Sequence, residues 1–220
     1  FMGMGLMSST VSPLRESEQI INFFVKFSKN PFLAMTVGMV VTFVIQSSSA
    51  TVGLTIVLAS QGLIDIYGAI PLIFGENIGT TITASLAALS SSREGKRAAL
   101  IHAMFNIFGV TYMMIAFLFI KYKNVPVYLY LVDLVTPGNN LAGENVERFI
   151  ANSHTIFNIF NTLVFLPFAG VLKFLAEKIV PYKKVSKEMS VEPLYLDRNL
   201  LHNSGFAFGQ VRKEMQHMLL

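Results

Sequence analysis

Two clusters of polar side chains are set into apolar sequence, and their residue types are those that hold small ions. Gln46-Ser47-Ser48-Ser49-Ala50-Thr51 follows a run from Phe32 to Ile45 in which nothing is more polar than Thr36, Thr42 and Gly38, and it precedes the apolar stretch Val52 to Ala59. Gly75-Glu76-Asn77-Ile78-Gly79-Thr80-Thr81 interrupts a second apolar region. A bilayer interior has no water to satisfy such groups, so polar clusters at that depth face protein, a wet cavity or a solute. Carboxamide, hydroxyl and free carbonyl oxygens are hard ligands suited to an alkali cation. Hydroxyls beside the free N–H groups of a helix start suit an anion.

A third pattern repeats itself. Ile101-His102-Ala103-Met104-Phe105-Asn106-Ile107-Phe108 and Ser153-His154-Thr155-Ile156-Phe157-Asn158-Ile159-Phe160 carry His, Phe, Asn, Ile and Phe at the same offsets. His and Asn four apart lie on one helical face, so each segment bears one polar stripe. Metal binding, proton relay or nucleophilic chemistry would each need a further ligand or an acidic orienting partner, and none stands at a helpful spacing. The stripes are expected to hydrogen-bond between helices or to the interrupted elements, with direct contact to solute as the other use of His102, Asn106, His154 and Asn158.

The elements that position these groups follow from length and composition. With 53% hydrophobic and 14% charged residues and a mean hydropathy of +0.55, the chain reads as an integral membrane protein. No cysteine is present, which removes disulfides and thiolate metal sites. The net charge of +4 sits mainly in basic residues at the ends of apolar segments, so it calls for no nucleic acid. Phe32 to Ala59 as one helix would run roughly 42 Å against a hydrocarbon core of about 30 Å, too long for an upright span and too short for two. A steeply tilted span would fit, and so would a broken helix or a hairpin with Gln46 to Ser49 near its tip; the interrupted form is the expected one. The other reading makes the serines small packing residues bonded back to the preceding turn.

The same reading gives a second interrupted element from Ile64 to Leu89, unwound at Gly75 to Thr81, with a half-helix starting near Ile78. Its alternative is that Gly75 and Gly79 form a helix contact face, with Thr80 a cap. Phe1 to Met7 reads as the last turns of a span, Gln19 to Phe27 as a short interfacial helix, and Asn30-Pro31 as the start of the first interrupted element. Full spans are expected from Ala98 to about Ile120 and from Phe149 to about Leu172. Arg93, Lys96 and Arg97, and the lysines from Lys173 to Lys187, place both clusters in the cytoplasm and the loop from Asn124 to Val146 outside.

In the paired motifs and the His102 and His154 segments, the sequence resembles the type II sodium-dependent phosphate cotransporters and their bacterial relatives. The resemblance covers most of Phe1 to Pro167; Gln46 to Ser49 and Asn77 to Thr81 match the motifs position by position, while Glu76 stands where a small residue can occur. It implies an all-α polytopic protein with interrupted or re-entrant helices, one half of an inverted-repeat transporter, and a second Gln-Ser-Ser-Ser motif in a missing first repeat of the same polypeptide. It implies sodium-coupled phosphate symport by alternating access, with both ions bound by Gln46, Ser47, Ser48, Ser49, Thr51, Asn77, Thr80 and Thr81. Glu76 and the His/Asn stripes stand as secondary candidates, and sodium is the coupling ion with no other cofactor. Residues 1–180 are then the membrane transport domain, multi-pass in the cell membrane and surrounded by lipid. Residues 181–220 are a cytoplasmic linker and the start of a helical domain resembling PhoU, or an amphipathic tail lying at the interface. The rival reading is a non-transporting membrane scaffold or regulator; an enzyme lacks a convincing nucleophile and base.

Overall fold

The computed structural model describes residues 2–138, 141, 143–182, 193–196 and 204–218. The chain divides into a unit from Phe1 to Pro181 and a unit from Tyr182 to Leu220. The first runs α1 Met2–Val11, a 3-10 turn Ser12–Glu16, α2 Glu18–Ser28, α3 Pro31–Ile45, α4 Ser48–Ser60, α5 Ile66–Ala88 and α6 Arg93–Phe119. A two-residue hairpin follows, β1 Lys121–Tyr122 and β2 Val125–Pro126, then α7 Val127–Val135, α8 Val146–Phe165 and α9 Ala169–Ile179. The second unit contains α10 Ser204–Met218, against which Tyr195 is held by its N–H donating to Glu214 Oε2 at 2.7 Å. The linker residues 183–192 and the start of the expected tail helix at 197–203 lie outside the described residues.

Local chemistry starts the helices, at Pro31 as the sequence places it, and at Ile66 and Arg93 rather than at the expected Ile64 and Ala98. Asn30 Oδ1 accepts the N–H groups of Phe32 and Leu33 at 3.1 Å, and Pro31 supplies the first helical residue of α3 without wasting a donor. Asp65 caps α5 through Gly68 N–H, and Ser92 caps α6 through Gly95 N–H.

The second apolar region is not interrupted. α5 runs unbroken from Ile66 to Ala88, straight through Gly75 to Thr81, so the half-helix expected to start at Ile78 does not exist. The glycines do the other job that their spacing allows. A Cβ on Gly79 would lie 2.6 Å from the Met39 carbonyl oxygen, and one on Gly75 would fall still closer to that of Met35. Gly38 answers from α3, where a Cβ would run into the Leu72 carbonyl. Small residues on both helices thus bring two backbones into direct contact. α5 is the centre of the unit, touching α2, α3, α4, α6 and α8. Phe74, fully buried on it, meets the rings of Phe117, Tyr128 and Phe157 at centroid distances of 6.3, 5.2 and 5.7 Å.

α6 is long and apolar enough to cross a membrane. The span expected from Phe149 to Leu172 is instead a bent pair, α8 and α9, meeting at 81°. Pro167 sits in the break, where its missing N–H and its ring disfavour continuation of the helix. The segment expected to be a plain loop from Asn124 holds the end of the hairpin and α7. Lys123 and Asn124, both at positive φ, make its two-residue turn.

Candidate functional site

The helix carrying the serines does break. α3 stops at Ile45, and Gln46 takes left-handed backbone angles, φ 57 and ψ 26, with its N–H returning to the Thr42 carbonyl at 2.7 Å. Ser47 is extended, at φ −147, and caps the next helix: its hydroxyl accepts the Ala50 N–H at 3.3 Å and lies 3.3 Å from the Ser49 hydroxyl. α4 begins at Ser48, and its first backbone bond runs from Thr51 N–H to the Ser47 carbonyl at 3.1 Å. The N–H groups of Ser48 and Ser49 precede that bond and carry the positive end of the helix dipole. The dipole end expected at Ile78 therefore belongs to α4, at the Gln-Ser-Ser-Ser motif itself. Gln46 and Ser49 are exposed there, while Ser47 and Ser48 are half-buried.

Buried threonines tie the break to α5. Thr51, 1% exposed, has its hydroxyl 3.1 Å from the Thr42 hydroxyl and within 3.1 Å of the Ser47 and Ser48 carbonyls. One turn further along α4, the Thr55 hydroxyl donates to Glu76 Oε1 at 2.6 Å. A Cβ on Gly79 would also lie 2.8 Å from Thr42 Cβ, so the Glu76 to Thr80 stretch of α5 passes directly beside the break. The two motifs, separate in sequence, meet here.

Their side chains are used differently from the expectation. Asn77 donates to the Ile73 carbonyl at 2.9 Å, Thr80 to the Glu76 carbonyl at 2.9 Å and Thr81 to the Ile78 carbonyl at 2.8 Å. All three turn back on their own helix, as side chains of this type do inside a continuous helix. The stripes behave likewise. Asn106 donates to the His102 carbonyl at 3.1 Å, and Asn158 to the His154 carbonyl at 2.9 Å while lying 3.3 Å from His154 Nε2. The bond between α6 and α8 is made by Asn161 instead. Its amide donates to the Phe105 carbonyl at 3.1 Å, its oxygen accepts the Tyr112 hydroxyl at 3.0 Å, and Gly109 leaves it room.

Thr42, Thr55 and Asn161 are the residues that sequence reasoning passed over. Thr51 and Thr55 stand four apart, so their shared face was readable. Nothing along the chain indicates that Thr42 and Glu76 meet that face. Among the described residues, no group of three or more His, Cys, Asp or Glu side chains could hold a metal ion. The arrangement suits ion binding through hydroxyl oxygens, a carboxamide and helix-start N–H groups.

A family model described as Na+/Pi-cotransporter matches residues 1–132. The chain belongs to this family, which is membrane-resident and transports phosphate. Among its relatives, the uncharacterized protein YqeW of Bacillus subtilis (strain 168) is 27% identical over 197 residues, 83% of this chain and 57% of its own length. Sodium-dependent phosphate transport protein 2A of Oryctolagus cuniculus is 47% identical over 83 residues, 36% of this chain and 13% of its own length. The same-named protein of Mus musculus is 42% identical over 110 residues, 48% of this chain and 17% of its own. The chain thus spans from 13% to 57% of these relatives' lengths. No solved structure matches it.

Proposed function

We propose that this chain supplies one half of a sodium-coupled symporter of inorganic phosphate working by alternating access. The observation that carries the reading is the broken helix at Gln46–Ser47, with α4 starting at Ser48 beside a continuous helix that bears the second motif. Transporters hold solutes at such breaks, where half-helix N-termini point at anionic groups and unwound carbonyls coordinate cations. Phosphate is assigned to the N–H groups and hydroxyls of Ser47, Ser48 and Ser49. Sodium is assigned to the oxygens of Gln46, Thr51, Asn77, Thr80 and Thr81, the α5 members joining once they release their own-helix carbonyls. The chain is multi-pass, with Arg93 to Arg97 and the lysines after Leu172 on the cytoplasmic side, and a related second half contributes another Gln-Ser-Ser-Ser motif. The test is uptake of labelled phosphate into proteoliposomes by the intact protein. Replacing sodium with choline should abolish it, and uptake that is indifferent to the exchange rules out sodium coupling.

Ser48→Ala tests the site itself. Among the described residues the Ser48 hydroxyl has no hydrogen-bond partner, so the fold loses nothing when it goes. Removing one hydroxyl contact to a charged solute should weaken apparent affinity for phosphate or sodium by about 1.5 to 3 kcal/mol, roughly tenfold to a hundredfold. Ser90→Ala, in the exposed turn after α5, should change neither. Unaltered affinity for both ions in a normally folded Ser48→Ala protein removes Ser48 from the site.

A further inference from the structure

Where α8 ends, the chain turns instead of continuing in line. The 20 residues of α8 rise about 30 Å, the thickness of a hydrocarbon core. α9 then leaves at 81° and lies against α6, burying Leu172 and Ala176 in a cluster with Met104 while Val171, Phe174 and Ile179 stay exposed. Two arginines at the start of α6 tie its far end down. Arg97 Nε donates to the Val180 carbonyl at 2.9 Å and its guanidinium lies 3.9 Å from Glu177, while Arg93 donates to the Pro181 carbonyl. Lys96 stands between them in sequence, exposed, and its ammonium has no ion-pair partner among the described residues. It lines a groove of about 240 Å³ between the end of α5, α6 and the end of α9. The walls are Leu89, Ala99, Leu100, Ala103, Ile179 and Val180, and the hydroxyl of Ser85, also in the lining, is spent on the Thr81 carbonyl at 2.8 Å. Lys96, Ala99, Leu100 and Ala103 share one face of α6, so the groove leads from a charge through about 10 Å of apolar side chains.

We propose that this groove binds an anionic phospholipid of the cytoplasmic leaflet, with its phosphate beside the Lys96 ammonium and one acyl chain along the apolar walls. The side of the membrane rests on the topology proposed above; the pairing of head group and chain does not. Charge complementarity selects the occupant. A long cationic side chain at the edge of apolar surface keeps its ammonium in the head-group layer, where anionic lipids gather basic residues. A zwitterionic lipid would bring a cation of its own to Lys96. An apolar helix laid on the groove would cover the ammonium without a counter-charge, which is costly. A free phosphate ion would use the charge and leave the walls bare. The bend between α8 and α9 is what makes the site, because it brings Ile179 and Val180 back to the start of α6 at the level of the lysine.

Lipid binding is measured without any transport assay. Purified intact protein in detergent is titrated with phosphatidylglycerol, or with phosphatidylcholine of the same chains, and the bound lipids are counted by native mass spectrometry. Phosphatidylglycerol should bind more tightly. Lys96→Gln should weaken it about fivefold, the worth of one lysine at an anionic surface. Lys26→Gln, an exposed lysine of α2 outside the groove, should leave it unchanged. Ala99→Phe fills the groove and keeps the charge, and it should weaken phosphatidylglycerol as well. Neither glycerophosphoglycerol, the same head group without chains, nor inorganic phosphate should compete. Equal binding of the two lipids by the unaltered protein, or undiminished phosphatidylglycerol binding by Lys96→Gln, overturns the site. Undiminished binding by a folded Ala99→Phe protein overturns the groove as the seat of the chain. If Ala99→Phe does not fold, the soluble competitors decide the same point, and displacement of the lipid by either of them overturns it. Phosphate uptake indifferent to sodium, with the lipid preference intact, would strike the transport reading alone; sodium-driven uptake without the preference would strike the lipid site alone.

Discussion

Gly75→Ala is expected to lower the unfolding midpoint of the purified protein more than any other glycine-to-alanine change outside the turns. The new methyl group would press into the Met35 carbonyl and stand 2.8 Å from the Met39 backbone nitrogen. Both neighbours are backbone atoms of α3, so no side chain can rotate out of the way. Overpacking of this kind costs about 1 to 3 kcal/mol, and more where the structure cannot yield. The seam between α3 and α5 cannot yield locally, because Gly38 and Gly79 fix the same close approach on either side of Gly75. Separating the helices also removes Gly79 from Thr42, and with it the position of α5 beside the break. Phosphate affinity should therefore fall together with stability. Gly53→Ala is the matched control, since its methyl group would meet only the flexible end of Met7 at 3.4 Å. Thermal unfolding followed by circular dichroism in detergent decides the matter. Equal midpoints for Gly75→Ala and the unaltered protein would mean that the two helices do not depend on backbone contact.

The second large effect concerns the chain as a whole. Reconstituted alone, the 220 residues should give no sodium-driven phosphate uptake, and co-expression with a segment bearing another Gln-Ser-Ser-Ser motif should restore it. Inverted-repeat transporters bind solute between two related halves, and alternating access is the movement of one about the other. This chain holds one Gln-Ser-Ser-Ser motif and one Gly-Glu-Asn-Ile-Gly-Thr-Thr motif. The similarity of the His102 and His154 segments does not make a second copy of the unit, because neither contains a break of its own at the motif: α6 and α8 run through theirs unbroken. Two copies pairing head to tail would require both orientations in one membrane, against the lysines that follow Leu172. Robust uptake by the 220 residues alone would show that one repeat suffices, and the half-transporter reading would have to be given up.

The first interruption was legible in the sequence and the second was misread, for reasons that lie in what each motif can satisfy by itself. Gln46 to Ser49 offers a helix cap, a left-handed position and hydroxyls for loose N–H groups, so its local chemistry already favours a break. The Gly75 to Thr81 stretch has the residues of a turn, and its local propensity points the same way. Its glycines, however, are matched to Gly38 on another helix, and packing between them overrides propensity. That match depends on how α3 and α5 are rotated toward each other, which spacing along one strand of sequence does not reveal. The same holds for Thr55 with Glu76 and for Asn161 with Tyr112. The helix start at Pro31 was read because its cap, Asn30, is a neighbour in the chain; Asp65 and Ser92 are caps of the same local kind that the reading passed over, and they set the starts at Ile66 and Arg93 rather than at Ile64 and Ala98.

Gln46 carries a consequence of a different kind. A residue with a Cβ held at φ 57 is under backbone strain that glycine would not feel, of order 1 to 3 kcal/mol. Glycine at position 46 would relieve the strain, improve the end of α3 and delete the carboxamide assigned to sodium. Thermostability and ion affinity therefore pull in opposite directions at this one position. A selection for heat resistance that ignores transport would drift toward the glycine, while a selection that requires transport would keep the glutamine and tolerate a less stable protein.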